Sequence, residues 1–192
     1  MAYIALADVK AYLKIESANT NDDAVISGLI TRAQAMIDAI TTRVFEAAAD
    51  TTVYLDAEQD VDGANLYFGD DICAVTTIVN GDGATVDAGE YIMLGRHAPY
   101  YAARLKAAST VAWTYTDSPE NAISVTGRWA YSVTPPDDIV QAALRLVAWL
   151  YKQRDSVGDI AAPAVSPSGQ IIIPAAMPQD VRYLLNPYRR LA

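Results

Sequence analysis

The apolar residues change period twice along this chain, and that double change limits the fold more than any other feature. Ile26, Leu29, Ile30, Ala33, Ile37 and Ile40 recur at helical spacing to about Thr42, with Thr31, Gln34, Asp38 and Thr41 on the opposite side. Residues 51–131 instead hold short β-forming runs: Thr52–Leu55, Ala74–Val79, Tyr91–Leu94, Thr110–Tyr115 and Ile123–Thr126. Turn residues separate them, notably Asn80-Gly81-Asp82-Gly83, and alternation is plain in Val111/Trp113/Tyr115 and in Ile123/Val125. Helical spacing then returns in two adjacent stripes, Ile139/Ala143/Leu146/Leu150 and Val140/Leu144/Val147/Tyr151. The pattern predicts an α+β chain. Its expected form is a mainly helical body of three helices, at about 6–15, 22–42 and 135–154, with a β-rich insertion of five or six short, mostly antiparallel strands at 51–131.

Local signals place the helix ends. In the first helix Leu6, Val9, Tyr12 and Leu13 share a face and Asp8 lies in the first turn. Thr20 and Asp23 have capping-box-like spacing before the second. For the third, Thr134 is placed to cap, Pro135 to occupy the first helical position, and Asp137 lies three residues after the cap. Asp137 and Asp138 suit the positive end of that helix, and Lys152 and Arg154 the negative end. Two apolar stripes exceed what one core needs. Either this helix is buried on most sides, or Val140, Leu144, Val147 and Tyr151 face another chain.

After Arg154 the composition shifts to that of a linker, with Gly158, Pro163, Pro167, Gly169, Pro174 and Pro178. The expected division is a body at 1–154 and an extended arm at 155–192. The arm carries an apolar run, Ile171-Ile172-Ile173, and a short helix from about Pro178 to Asn186-Pro187 with Val181, Leu184 and Leu185 on one face. Arg182, Arg189 and Arg190 make its tip basic. In an isolated subunit these apolar runs are expected to seek cover on their own body.

Charge and chemistry narrow the function. Residues 1–131 carry 8 Lys and Arg against 18 Asp and Glu, and residues 132–192 carry 6 against 5. An acidic body opposes tight duplex binding, which depends on neutralising phosphates. Hydrophobic residues make up 52% of the chain and charged ones 19%, an apolar surplus that suits subunit contacts. The one cysteine, Cys73, lies in a strand-like run and reads as a small hydrophobe. The one histidine, His97, sits between Gly95-Arg96 and Pro99, a loop context without a zinc ligand set or a Gly-x-Ser-x-Gly elbow. The run Asp56–Asp62 lacks the glycine and the glutamate of a calcium loop. Tyr100 and Tyr101, with Arg96 and Arg104, read as loop tyrosines or a protein contact rather than a base-stacking site. No catalytic, metal or cofactor site is expected. The first residues carry no basic segment or long apolar run, so no secretory signal or membrane span is expected, and the chain should fold in a cytoplasm.

The order of these pieces resembles the head-to-tail connector proteins of tailed bacteriophages, also called adaptor or head-completion proteins. The resemblance lies in Ala5-Leu6-Ala7-Asp8-Val9-Lys10-Ala11-Tyr12-Leu13-Lys14-Ile15 followed by the acidic Asn21-Asp22-Asp23 start of a long helix, and in that helix's ending, Thr41-Thr42-Arg43-Val44-Phe45. It continues in the helix that follows Thr134-Pro135-Pro136 and ends in Tyr151-Lys152-Gln153-Arg154, and in the terminal Met177-Pro178 to Tyr188-Arg189-Arg190. It implies a non-enzymatic virion protein made in the bacterial host. It further implies a ring of subunits, dodecameric on the portal protein, that gives DNA a channel without sequence-specific binding and offers a platform to the next neck or tail-completion protein. The arm, with Ile171, Ile172, Ile173, Val181, Leu184, Leu185, Tyr188, Arg189 and Arg190, would then contact the portal. A stopper or tail-completion role is the alternative, and a small acidic hydrolase or ligand-binding domain built on the β region is a further one.

Overall fold

The computed structural model of the chain describes residues 2–154, 164–165, 171–172 and 177–190. The chain divides into two compact units, one of Arg43–Pro135 and one of Ala2–Thr42 with Pro136–Ala192.

The first unit is all β among its regular elements. Its strands are β1 (Thr51–Leu55), β2 (Val61–Asp62), β3 (Asn65–Ile72), β4 (Ala74–Val79), β5 (Thr85–Val86), β6 (Tyr91–Leu94), β7 (Tyr100–Leu105) and β8 (Ile123–Arg128). They form two four-stranded antiparallel sheets, β1-β8-β4-β5 and β2-β3-β7-β6. Alternate side chains of each strand point to one face. Leu55, Ile78, Ile123 and Val125 of the first sheet thereby meet Leu66, Phe68, Ile72 and Leu105 of the second in one apolar core. Phe68 packs edge-on against Trp129, ring centroids 5.8 Å apart. Arg43 joins Asp71 at 2.7 Å and lies over the Tyr131 ring.

Two glycines permit close approaches. A Cβ at Gly127 would stand 2.2 Å from the Ala74 carbonyl oxygen, where β4 and β8 slip register at a bulge. A Cβ at Gly81 would stand 2.5 Å from the Thr114 carbonyl oxygen, where Gly81 donates its own N–H to that oxygen.

The expectation of a mainly helical body with a β-rich insertion is therefore corrected. The class α+β stands, but the β region is a unit with its own core, in two full sheets. Eight strands replace the expected five or six. The longest, β3, holds Asn65, Gly69, Asp70 and Asp71, poor strand formers that conceal the alternation of Leu66 and Phe68. β7 contains Tyr100 and Tyr101, expected in a loop. Thr110–Tyr115 is no ladder strand. It has one isolated bridge, Gly81 to Tyr115, and is held by Asn80, whose side chain donates to the Ala112 carbonyl and accepts from the Thr114 N–H. Its alternation is real, since Val111 and Trp113 pack on the β core.

The second unit holds α1 (Leu6–Leu13), α2 (Asp23–Thr41), α3 (Asp137–Arg154) and α4 (Gln179–Leu185), the last running into a 3₁₀ turn at Asn186–Tyr188. Between α3 and α4, β9 (Ala164–Val165) pairs antiparallel with β10 (Ile171–Ile172). Helix α3 is packed by α1, α2 and α4. Val9, Ile26, Ile37, Ile139, Leu146 and Leu185 are fully enclosed. Helices α1 and α2 both end on left-handed residues, Lys14 and Thr42. Helix α3 starts two residues later than expected: Pro136 supplies the carbonyl that accepts from the Ile139 and Val140 N–H groups.

Candidate assembly surfaces

Interactions that tie sequence-distant segments of the helical unit involve charged or phenolic side chains. Lys10 is 5% exposed, and its ammonium donates to the Ser17 carbonyl at 2.9 Å, the Asn19 carbonyl at 2.7 Å and the Asp23 carboxylate at 2.9 Å. Asp23 is thus committed to Lys10, and no side chain caps α2. This triad staples the loop between α1 and α2 to both helices.

A second cluster joins the start of α2 to the end of α3. Tyr151 donates its hydroxyl to Asp22 at 2.6 Å, Arg154 donates to the other oxygen of that carboxylate at 2.9 Å, and the guanidinium lies over the Tyr151 ring. The Tyr151 bond, then the Arg154 bond, hold Asp22 below the usual carboxylate range. The same carboxylate pushes the Tyr151 hydroxyl up. Arg154 is the last residue of α3, so this clasp fixes where the C-terminal segment departs.

The far end of that segment is docked as well. Met177, Val181 and Leu185 are buried, Arg145 pairs with Asp180, the Tyr188 hydroxyl donates to Asp138 at 3.2 Å, and the Arg190 N–H donates to the Thr41 carbonyl at 3.0 Å. Nearby, Tyr3 donates to Asp38 at 2.5 Å; burial of this carboxyl raises its pKa, and the Tyr3 bond lowers it.

Beside α4 lies a cleft of about 580 Å³, lined by Ala39 and Ile40 of α2 and by Met177, Arg182, Asn186 and Arg189. Arg182 and Arg189 are exposed. Among the described residues, neither side chain makes an ion pair. Tyr183, 69% exposed, stands on the same helix.

The β unit offers a surface of opposite sign. At the turn after β1, the Asp56 carboxylate accepts from the N–H groups of Glu58 and Gln59, and Asp60 accepts from the Asp56 N–H. Tyr115 donates its hydroxyl to Glu58 at 2.8 Å, and Ser118 bonds Glu120. Glu58 pushes the Tyr115 hydroxyl up, with Glu120 and Asp56 adding to it, so three carboxylates bear on one phenol.

Of the expected interface residues on α3, Val140, Leu144 and Tyr151 are half-buried, whereas Val147 is fully enclosed because three helices surround α3. Of the expected arm residues, Val181 and Leu185 are core, Leu184 and Tyr188 are half-buried, Arg189 is exposed, and Arg190 is half-buried. Ile171 and Ile172 form β10, and Ile173 lies outside the described residues. Sequence reasoning did not find Lys10, the Asp22 clasp or the Arg145–Asp180 pair, because each joins residues too far apart for spacing to reveal. His97 is exposed in the turn between β6 and β7. Cys73 is half-buried, with its thiol pushed up by burial and donating to the Arg128 carbonyl. Among the described residues, no group of three or more His, Cys, Asp or Glu could hold a metal ion, and no helix is long and apolar enough to cross a membrane.

The sequence matches the family model of the head completion protein over residues 2–191. No curated protein matches it. Among solved structures, the chain is similar to one in the neck of an empty gene transfer agent particle computed with C6 symmetry: TM-score 0.60, 14% identity, covering 99% of this chain and 91% of that one. It is similar also to a chain in the virion of a native gene transfer agent particle: TM-score 0.58, 18% identity, covering 99% and 91%. A third similar chain comes from the neck of the native particle computed with C12 symmetry: TM-score 0.58, 18% identity, covering 97% and 88%. At these identities the likeness is one of fold.

Proposed function

This chain belongs to the head completion protein family, and from that premise we propose that it forms a ring on the portal vertex, joining the DNA-filled head to the tail and continuing the channel for DNA. The protein is a structural component of the phage neck, and its place is the head–tail junction of the virion. The match across residues 2–191 carries this reading. It is supported by a fold shared, over nearly the whole chain, with chains described as parts of a particle neck.

A closed ring needs two different surfaces per subunit. The basic cleft beside α4 and the acidic turn around Tyr115 supply two of opposite sign. An acidic body beside a channel repels phosphate and keeps passing DNA from sticking. Assembly of this kind calls for no catalytic group or cofactor, and the role is non-enzymatic.

The portal protein is the proposed partner on the head side, and the next neck or tail-completion protein the partner on the other. The contact with the portal is assigned to the reach between the two anchors, the Asp22 clasp at Arg154 and the docked α4. Val181 and Leu185 hold the anchor and do not themselves reach outward. The test is to mix the full chain with portal rings and measure particle mass. The reading expects a shift to a saturated complex with several copies per portal; a mixture in which both components keep their separate masses at all concentrations would sink it. Replacing Ile171, Ile172 and Ile173 together by Asp tests the reach without removing α4: portal binding should be lost while the fold is kept.

A further inference from the structure

We propose that the cleft between α2 and α4 is one half of the subunit contact, and that its occupant is the acidic turn around Tyr115 of a second copy of this chain. The inference rests on the ring reading above and adds which surfaces meet.

The cleft has the form of a receptor for an anionic, partly aromatic segment. Its lining is part apolar, from Ala39, Ile40 and Met177, and part polar and basic, from Arg182, Arg189 and Asn186. In the helical unit three ion pairs engage charged groups of other elements: Lys10 with Asp23, Arg145 with Asp180, and Arg154 with Asp22. Arg182 and Arg189 have no such carboxylate among the described residues. A guanidinium binds a carboxylate through paired hydrogen bonds and stacks on aromatic faces.

The turn after β1 is complementary in each respect. Asp56, Glu58 and Glu120 converge on the Tyr115 hydroxyl and pair with no cation among the described residues. Asp56 and Glu120 are anchored by short local bonds, which pre-organise the segment. The Tyr115 ring is 38% exposed, a face for the apolar lining or for a guanidinium. Charge distribution along the chain agrees, since the acid excess lies in residues 1–131 and Arg182 and Arg189 lie beyond it. Because the two surfaces differ, the contact is heterologous, the kind of contact from which a ring of the proposed type is built.

Two charge-reversed chains test the contact. One carries Arg182→Glu and Arg189→Glu, so both of its surfaces are acidic; the other carries Glu58→Lys and Glu120→Lys, so both are basic. Each alone should self-associate at least ~10-fold more weakly than the wild type, as expected for like charges set face to face. An equimolar mixture should assemble again, with the two chains alternating, because every junction then joins opposite charges. Native mass spectrometry reads this in free solution, and mass photometry reads it on portal rings. Circular dichroism matching the wild type shows that each variant is folded. A reversed chain that assembles alone like the wild type would overturn the contact, as would two folded variants that stay apart when mixed. Failure of the wild type to load on the portal is a separate result and would count against the ring reading, while the free mixture still decides the contact.

Discussion

The two units of this protein are held together by different means. In the β unit, two sheets close face to face over Leu55, Leu66, Phe68, Ile72, Ile78, Ile123 and Val125, a continuous apolar layer crossed by strands from both ends of the unit. The helical unit also has an apolar core, but its outer elements rely on local polar fastenings: Lys10 for the loop after α1, Asp22 for the end of α3, and for α4 Asp180 and Tyr188 beside the buried Val181 and Leu185. A layer of dispersed contacts yields only as a whole, whereas a point fastening can be opened by itself. The β unit is thus built to open as one body, and the helical unit as a set of elements that can be released singly.

The largest expected effect attacks the β unit. Phe68→Ala removes a side chain 2% exposed and should cost about 3–5 kcal/mol in chemical denaturation. Amides throughout the β unit should lose protection together; loss confined to β3 would contradict a single cooperative layer. Leu185→Ala should cost about 2–3 kcal/mol. Hydrogen exchange should then rise across 179–188 while α2 and α3 keep their protection; an equal rise in all four helices would contradict the picture of α4 as a separable anchor. Lys10→Met strands the Asp23 carboxylate and two carbonyls, and should cost about 1–3 kcal/mol, with faster exchange focused on residues 14–22.

The smallest effect is a pH dependence at the Asp22 clasp. The folded-state pKa of Asp22 is lowered, so its contribution is present above the ordinary carboxylate value of about 4 and is lost as pH falls through the lowered value. The pKa of Tyr151 is raised, so its contribution is present below the ordinary value of about 10 and is lost as pH rises through the raised one. The clasp should therefore hold from about pH 4 to about pH 10. NMR titration of the Tyr151 ring in the wild type and in Asp22→Asn checks this: the acid limb should vanish in the variant, and an unchanged titration would assign it elsewhere.

The same contrast explains what could be read from the sequence. Helices α2 and α3 were legible because long amphipathic periods and a proline-marked start repeat one signal many times. β4, β6 and β8 were legible from their β-branched and aromatic runs. β3 and β7 were not, because Asn65, Gly69, Asp70 and Asp71 on one strand and Ala102-Ala103 on the other are weak strand formers, and pairing within the β2-β3-β7-β6 sheet makes them strands. Thr110–Tyr115 shows the converse: alternation reports a half-buried extended chain, not the neighbour that would make it a ladder. Of the candidate surfaces, the basic tip of the arm was visible as Arg182, Arg189 and Arg190. Cover for its apolar residues on their own body was expected, but the elements that supply it were not legible, since the pattern of Val181 and Leu185 names no neighbour. The acidic turn at Asp56–Asp62 was visible as composition, but its convergence with Glu120 on Tyr115 depends on folding.

The ring on the portal is the central claim, and imaging the assembled complex tests it most directly. Cryo-electron microscopy of portal rings saturated with the full chain should show one copy of this protein per portal subunit, arranged as a closed ring around a continuous channel, with the segment between Arg154 and Met177 against the portal. Portal rings that remain bare, or copies bound away from the channel without contact between neighbours, would contradict it.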